Sequence, residues 1–373
     1  MTENIVRGAI QALPVYNSGA PLAVVKAELG LETIAKLDSN ENPIGMSVAA
    51  RTAAIAAVDQ AYRYPDRDET ELRADLAHAL NVDPNCLVFS GGSEDVLSII
   101  YRMVLEPEHT VVTVSPGFGL HAIFGQVAGA HIEVHQHLAD WSFPVDAIVS
   151  SIHAGARIVA LASPSNPVGV MLTDADIEQI LAAAGPQCLL IFDEAYIEFA
   201  GPQWRLQLLQ RLARHQGPWA LLRTFAKAYG LAGLRIGYGV VHCADFAANF
   251  NKTRSPFNVN ALALAAAQAA YADTDHLTRV VSETLVRRAK MAAAIRAAGF
   301  SFAPSVGNFL FIDSGADAVS FARALRQHGV LVKPWLEAGY ESYFRATVGT
   351  DAEIEMLISA MISVRESQTA DAR

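Results

Sequence analysis

The sequence has few cysteines, few charged residues and no long uninterrupted apolar run. Three cysteines occur among 373 residues, far apart and without C-x-x-C spacing, which fits a reducing compartment better than a disulfide framework. The first residues carry neither the basic region nor the apolar run of a secretory signal. The most apolar helical segment, residues 261–272, is rich in alanine and interrupted by Gln268, so it predicts a buried helix rather than a membrane span. We therefore expect a cytoplasmic protein with no membrane partner.

The charge balance argues against nucleic acid as a partner. Lysine and arginine number 28 against 38 aspartates and glutamates, which gives a formal net charge of −10. Proteins that bind nucleic acid need a basic surface for the phosphates. Small anionic substrates stay open, because a few local arginines decide their binding. With 52% hydrophobic residues the chain can bury a large core.

Short apolar runs alternate with helical segments between residues 86 and 245. Such alternation predicts a three-layer α/β/α domain with a mostly parallel central sheet. The last run follows its neighbour too closely for a helical crossover, so we expect it to pair antiparallel. The predicted strands are residues 86–90, 111–115, 157–163, 188–193, 219–224 and 234–241.

Three parts are predicted along the chain. Residues 1–45 form an irregular N-terminal arm, which we expect to pack with the smaller domain or a partner subunit. Residues 46–260 form the large domain. Residues 261–373 contain long helices followed by strands around a helix, which predicts a smaller α+β domain.

Chemically informative residues follow the predicted strands, where ligands of open parallel sheets bind. Two glycines and Ser93, predicted as a helix N-cap, follow the first strand and expose backbone N–H groups to an anion. Phe118 follows the second strand and can stack on a planar ring. Asn166 offers an amide after the third strand. Asp193 ends an apolar strand, where a carboxylate is costly unless it meets a cation.

A lysine lies in the apolar, glycine-rich turn after the fifth strand. Lys227 follows Thr224 by three residues and precedes Arg235 by eight. A lysine in such surroundings is a candidate nucleophile through its amine. Arg235 supplies a fixed positive charge.

These groups match the requirements of pyridoxal 5′-phosphate. Lys227 would bind the aldehyde covalently, and Asp193 would keep the ring nitrogen protonated. Phe118 would stack on the ring, while Asn166 and Tyr196 would contact its oxygen. Lys227, Asp193 and Tyr196 are therefore the predicted catalytic residues. The phosphate would be held by backbone N–H groups of Ser93 and Glu94 together with Thr224 and Arg235.

Several motifs resemble those of the class I and II aminotransferases, and within them the histidinol-phosphate aminotransferases. The motifs are DEAY (193–196), NPxG (166–169), AKAYGLAGLRIG (226–237), LDSNENP (37–43), YPD (64–66), SPFNVN (255–260) and FRATVG (344–349). The resemblance implies the fold of the pyridoxal-phosphate-dependent transferases and transfer of an amino group from L-histidinol phosphate to 2-oxoglutarate, a step of histidine biosynthesis.

The resemblance also implies roles outside the cofactor pocket. Arg345 matches the arginine that binds the substrate α-carboxylate in relatives that use amino acids, so it would help to bind the substrate here. Asn40 and Tyr16 would line the substrate entrance. Tyr64 would reach the cofactor phosphate of the neighbouring subunit, which implies a homodimer with shared active sites.

The chain departs from the family pattern at four places. Ala226 replaces the usual serine before the lysine, and Glu94-Asp95 reverses the usual order. Lys333 stands where an arginine often faces an anionic substrate group, and His121 stands where a tyrosine is common. The last two lie on the substrate side.

Alternative functions are weighed against this one. Another amino donor, aromatic or otherwise, fits the same family, and a pyridoxal-phosphate-dependent decarboxylase fits the same fold. Gly117, Gly119 and Ala122 fit a relaxed nicotinamide-dinucleotide fingerprint, but Pro116 precedes them. A regulator that binds the cofactor without turnover is a further alternative. Alternating histidines at 131, 135 and 137 permit a metal, although an exposed edge strand explains them better.

Overall fold

The computed structural model describes residues 5–13 and 21–371. Within these residues the α-helices are α1 (Gly8–Gln11), α2 (Leu22–Leu29), α3 (Val48–Val58), α4 (Thr70–Leu80), α5 (Ser93–Val104), α6 (Leu120–Ala128), α7 (Val145–His153), α8 (Asp174–Ala183), α9 (Gln207–Leu212), α10 (Ala244–Thr253), α11 (Ala261–Ala272), α12 (Thr274–Ala297), α13 (Ala318–Gln327) and α14 (Asp351–Asp371). The strands are β1 (Ala35–Lys36), β2 (Leu87–Ser90), β3 (Thr110–Ser115), β4 (His131–Gln136), β5 (Ile158–Ala162), β6 (Leu189–Asp193), β7 (Trp219–Thr224), β8 (Gly237–Val241), β9 (Ser301–Phe302), β10 (Phe309–Asp313), β11 (Val330–Leu331), β12 (Lys333–Pro334) and β13 (Tyr343–Thr347).

A seven-stranded sheet forms the centre of the larger domain. Its order is β2-β8-β7-β6-β5-β3-β4. Strand β8 runs antiparallel to both β2 and β7, while the other neighbours pair parallel. The predicted mostly parallel sheet and its antiparallel last strand are confirmed. Strand β8 begins at Gly237 rather than at residue 234, because Ala232–Leu234 form a short 3-10 helix.

Apolar side chains alternate between the two faces of this sheet. On β6, Leu190 and Phe192 pack into one core with residues of α4, α7, α8 and α11. Leu189 and Ile191 pack into a second core with residues of α5 and α10. Strands buried on both faces in this way are continuously apolar, as parallel sheets covered by helices require. The predicted three-layer α/β/α architecture is confirmed.

The smaller domain has its own core around a four-stranded antiparallel sheet of order β12-β13-β10-β9. Helices α13 and α14 and the end of α12 pack into this core, and Ala35 and Leu37 of the N-terminal arm join it. Strand β1 pairs parallel with β11.

The change from one core to the other falls inside helix α12. Ala263 and Ala267 of α11 and Val280 of α12 pack in the core of the larger domain. Met291 and Ile295, further along α12, pack in the core of the smaller one. The boundary predicted between residues 260 and 261 therefore does not coincide with the change of core.

Strand β4 lies at one edge of the central sheet. Its His135 Nε2 lies 2.8 Å from Ser151 Oγ and 3.3 Å from Glu133 Oε1. Within the described ranges no group of three or more histidine, cysteine or acidic side chains is arranged to hold a metal ion. Among the described helices, none combines the length and apolarity needed to cross a bilayer.

Candidate active site

A cavity opens at the carboxyl ends of the parallel strands, as the sheet topology predicts. It collects every predicted cofactor-binding residue except Tyr64. Its lining consists of Gly92, Ser93, Glu94, Phe118, Ala162, Asn166, Asp193, Ala195, Tyr196, Thr224, Ala226, Lys227 and Arg235. We refer to it below as the inner cavity.

One end of the inner cavity is built to receive an anion. Helix α5 begins at Ser93, and its N-cap is Gly92 with φ of 107°, so the prediction of Ser93 as the N-cap was wrong. A Cβ at Gly92 would lie 2.9 Å from Arg235 Nη2, and one at Gly237 would lie 2.3 Å from the Ser93 nitrogen. These glycines allow the guanidinium and the free N–H groups of the helix start to lie side by side, the arrangement that binds phosphate groups.

The Asp193 carboxylate also faces the inner cavity. Oδ1 accepts a hydrogen bond of 3.0 Å from the Ala195 N–H, and His121 Nε2 lies 3.5 Å from Oδ2. The His121 ring is buried and stands perpendicular to Phe118, with centroids 5.5 Å apart. The sequence identifies His121 only as a departure from the family pattern. Its three-residue spacing from Phe118, in the turn that leads into α6, is the signal that could have found it.

Lys227 also lines the inner cavity. Its Nζ is 3.5 Å from the Ser39 carbonyl oxygen and 5.7 Å from the centre of the Tyr196 ring. The Tyr196 hydroxyl accepts a hydrogen bond of 2.9 Å from Asn40 Nδ2. Asn40 is wholly buried. It therefore reaches the site through Tyr196 and does not line the entrance as predicted.

A second cavity adjoins the first and shares Phe118, Asn166, Tyr196 and Lys227 with it. We call it the outer cavity. The remaining lining residues are Asp38, Ser39, Gly117, Gly119, Ile123, Lys333, Pro334, Trp335, Leu336, Glu337 and Arg345. Lys227 thus stands at the boundary between an anion-binding pocket and a second space open to a substrate. Of the outer lining, Asp38, Ser39, Trp335 and Glu337 carry polar groups that the sequence analysis had not assigned.

Two cations face the outer cavity from neighbouring strands. Lys333 on β12 pairs directly with Arg345 on β13. Burial lowers the pKa of Lys333, and the charge of Arg345 lowers it further. Arg345 is buried, donates a hydrogen bond of 2.7 Å to Asn166 Oδ1, and donates another to the Asp38 carbonyl. This pair can hold an anionic group close to Lys227.

The position of Tyr64 differs from that of the other predicted cofactor-binding residues. The Tyr64 side chain is 82% exposed and stacks on Phe257, with ring centroids 4.6 Å apart. It lines neither cavity of its own chain. Tyr16 lies outside the described residues.

Comparisons with known proteins agree with this geometry. The sequence profile of the family "Aminotransferase class I and II" matches residues 32–361. Histidinol-phosphate aminotransferase 1 of Mesorhizobium japonicum is 38% identical over 96% of this chain and 98% of its own length. Histidinol-phosphate aminotransferase 3 of Rhizobium meliloti is also 38% identical, over 96% and 97%. A crystal structure of the Sinorhizobium meliloti histidinol-phosphate aminotransferase, in complex with pyridoxal-5′-phosphate, superposes with a TM-score of 0.89 at 28% identity and covers 98% of both chains. The chain belongs to the class I and II aminotransferases.

Proposed function

We propose that the protein transfers the amino group of L-histidinol phosphate to 2-oxoglutarate with pyridoxal 5′-phosphate as cofactor. The products are imidazole-acetol phosphate and L-glutamate, and this biosynthetic role would belong in the cytoplasm. The observation that carries the proposal is the position of Lys227, at the boundary between the inner cavity and a cavity lined by two cations. The names of the relatives support the choice of donor.

The residues of the inner cavity fit this cofactor. Its phosphate would be held by the first N–H groups of α5, Thr224 and Arg235. Glycines occupy positions 92 and 237 beside this place, where a side chain would not fit. Phe118 would cover one face of the ring, and Asn166 and Tyr196 would contact its oxygen. When bound, the cofactor supplies a cationic ring that accepts electrons from the bond broken at the α-carbon of the donor.

Asp193 and Lys227 would each control a different proton. The Asp193 carboxylate would hold a proton on the ring nitrogen, and its own orientation is set by the Ala195 N–H and the nearby His121. The Lys227 amine would first attach the cofactor and, once released by the donor, carry a proton away from the donor's α-carbon. Its weak contact with Ser39 leaves the amine free to move.

Lys333 and Arg345 would bind the anionic end of each substrate in turn. The phosphate of the donor and the α-carboxylate of 2-oxoglutarate can occupy the same place, because both are carried on the carbon next to the reacting one and both need a concentrated positive charge. The apolar lining by Ile123, Trp335 and Leu336 suits a planar side chain. This lining also favours the alternative that an aromatic amino acid is the donor.

We also propose that the active enzyme is a homodimer with shared sites. Tyr64 and Tyr62 are 82% and 74% exposed, and Val48, Ile55 and Val58 on α3 are also exposed. Clustered exposed apolar side chains favour an interface. A second copy would cover them and bring Tyr64 to the phosphate end of the partner's inner cavity.

The first prediction concerns the donor. With 2-oxoglutarate as acceptor, L-histidinol phosphate should give the highest kcat/KM in a panel that also contains phenylalanine, tyrosine and leucine, because it alone carries a phosphate for Lys333 and Arg345. Glutamate release measures the reaction. A higher kcat/KM for phenylalanine or tyrosine would assign the enzyme to the aromatic alternative, and carbon dioxide release without an acceptor would indicate a decarboxylase.

The second prediction concerns the lysine. Borohydride treatment of the holoenzyme should fix the cofactor to Lys227, and Lys227→Ala should abolish turnover, because no other amine in the cavity lining can attach the aldehyde. Peptide mapping after reduction measures the first effect. Lys252→Ala, on helix α10, is the control and should keep both label and activity. A label on another lysine would reject the assignment.

The third prediction concerns Arg345. Arg345→Ala should lower kcat/KM by an amount equivalent to roughly 1.5–3 kcal/mol, the usual loss for a hydrogen bond to a charged group. Arg326→Ala is the control, since Arg326 pairs with Glu28 on the surface of the smaller domain. If Arg345→Ala leaves kcat/KM unchanged with both substrates, another group binds the anion.

The fourth prediction tests the shared sites. Tyr64→Ala and Lys227→Ala dimers should each be weakly active or inactive, but refolding them together should restore about a quarter of wild-type activity. Half of the dimers in a random mixture are mixed, and each mixed dimer has one of its two sites with both residues intact. Activity in the mixture equal to the mean of the two separate variants would show that Tyr64 serves no neighbouring site.

A further inference from the structure

Directly beneath the inner cavity lies a buried ion pair that the proposed reaction does not use. Arg223 donates to a single carboxylate oxygen of Glu194 from two atoms, Nε at 2.9 Å and Nη2 at 2.6 Å. Both side chains are 2% exposed. Nη2 also donates to the backbone carbonyl of Arg205.

Further polar groups surround this pair. Glu198 is buried, and Arg205 donates a hydrogen bond of 3.3 Å to the Tyr229 hydroxyl. Burial raises the pKa of Glu194 to about 7, against the opposing effect of Arg223. Burial raises the pKa of Glu198 as well. Burying the charges of Glu194, Glu198 and Arg223 therefore costs free energy, yet all three side chains are buried close together.

The pair joins the ends of the two strands that carry the central groups of the site. Glu194 follows Asp193 at the end of β6, and Arg223 precedes Thr224 at the end of β7. The Glu194 N–H also donates to the Leu222 carbonyl at 2.9 Å. Because neighbouring side chains on a strand point to opposite faces, Asp193 and Thr224 line the cavity while Glu194 and Arg223 meet behind it.

Stability alone does not account for a buried pair of this kind. Replacing a buried ion pair with apolar residues of similar volume is often neutral or stabilising, whereas removing one partner is strongly destabilising. What apolar packing lacks is direction. An arginine whose Nε and Nη2 both donate to one carboxylate oxygen fixes the separation and direction of the two side chains, in addition to the backbone pairing of β6 with β7.

We propose that the Glu194–Arg223 pair positions the active site by locking the ends of β6 and β7 together. In this role it keeps the Asp193 carboxylate at a fixed place relative to the turn that carries Lys227. The inference rests on the proposed function, because the distance it controls matters only when a cofactor lies between these two groups. Glu194 and Arg223 are positioning residues, since they touch the site only through their neighbours.

The test compares the wild-type holoenzyme with the double variant Glu194→Met/Arg223→Met, which removes both charges and keeps similar volumes. Urea unfolding should occur near the wild-type midpoint. The visible absorption maximum of the bound cofactor should shift, the cofactor should bind more weakly, and kcat should fall roughly 100-fold, because a displacement of about 1 Å costs that much in a preorganised site. The fall should appear in kcat more than in KM, since Lys333 and Arg345 are untouched.

The second variant is Arg223→Lys, which keeps the charge but loses the two-point contact. It should produce the same spectral shift and loss of kcat, and this keeps the proposal falsifiable if the double variant does not fold. The control is Arg211→Met/Glu178→Met, which removes a more exposed ion pair between α8 and α9 and should leave spectrum and kcat unchanged.

The outcomes separate the two proposals. The positioning role would be overturned if a stable double variant, or Arg223→Lys, kept the absorption maximum, cofactor affinity and kcat of the wild type. The proposed function would then remain intact. Failure of the wild-type protein to bind the cofactor or to transaminate would overturn both.

Discussion

Side chains on a strand alternate between its faces. At the ends of β6 and β7 this alternation separates the residues that line the cavity from the ion pair that lies behind them. One residue of each strand end faces the cavity, and its neighbour along the chain faces the core. The carboxylate at 193 can remain at the end of an apolar strand because the Ala195 N–H donates to it and His121 lies beside it. The anion-binding turn, the lysine turn and the substrate cavity are all arranged around these two strand ends.

Arg345 links the two domains next to the active-site cavities. This arginine extends from the sheet of the smaller domain and donates to Asn166, which follows β5 of the larger one. It also donates to the carbonyl of Asp38 in the N-terminal arm. Three separate parts of the chain therefore fix one guanidinium. The charge proposed to bind the substrate and the amide proposed to contact the ring are hydrogen-bonded to each other.

The sequence was sufficient for features that depend on local pattern. The strand runs, the antiparallel β8 and the five turns at strand ends all follow from residues close together in the chain. Gly92 rather than Ser93 caps α5, with a positive φ and with Arg235 too close for a side chain, and a local pattern does not reveal that approach. Asn40 was misplaced for a related reason, since its partner Tyr196 lies far along the sequence. The Glu194–Arg223 contact requires knowing that β6 and β7 are neighbours.

Helix α12 has a mechanical consequence for the substrate side of the enzyme. Its 24 residues, about 36 Å of continuous helix, are anchored in the larger core at one end and in the smaller core at the other. A continuous helix that packs in both cores limits sliding of one domain past the other. Because Arg345 also donates to Asn166 of the larger domain, this helix and that contact together hold Lys333 and Arg345 in place at the outer cavity.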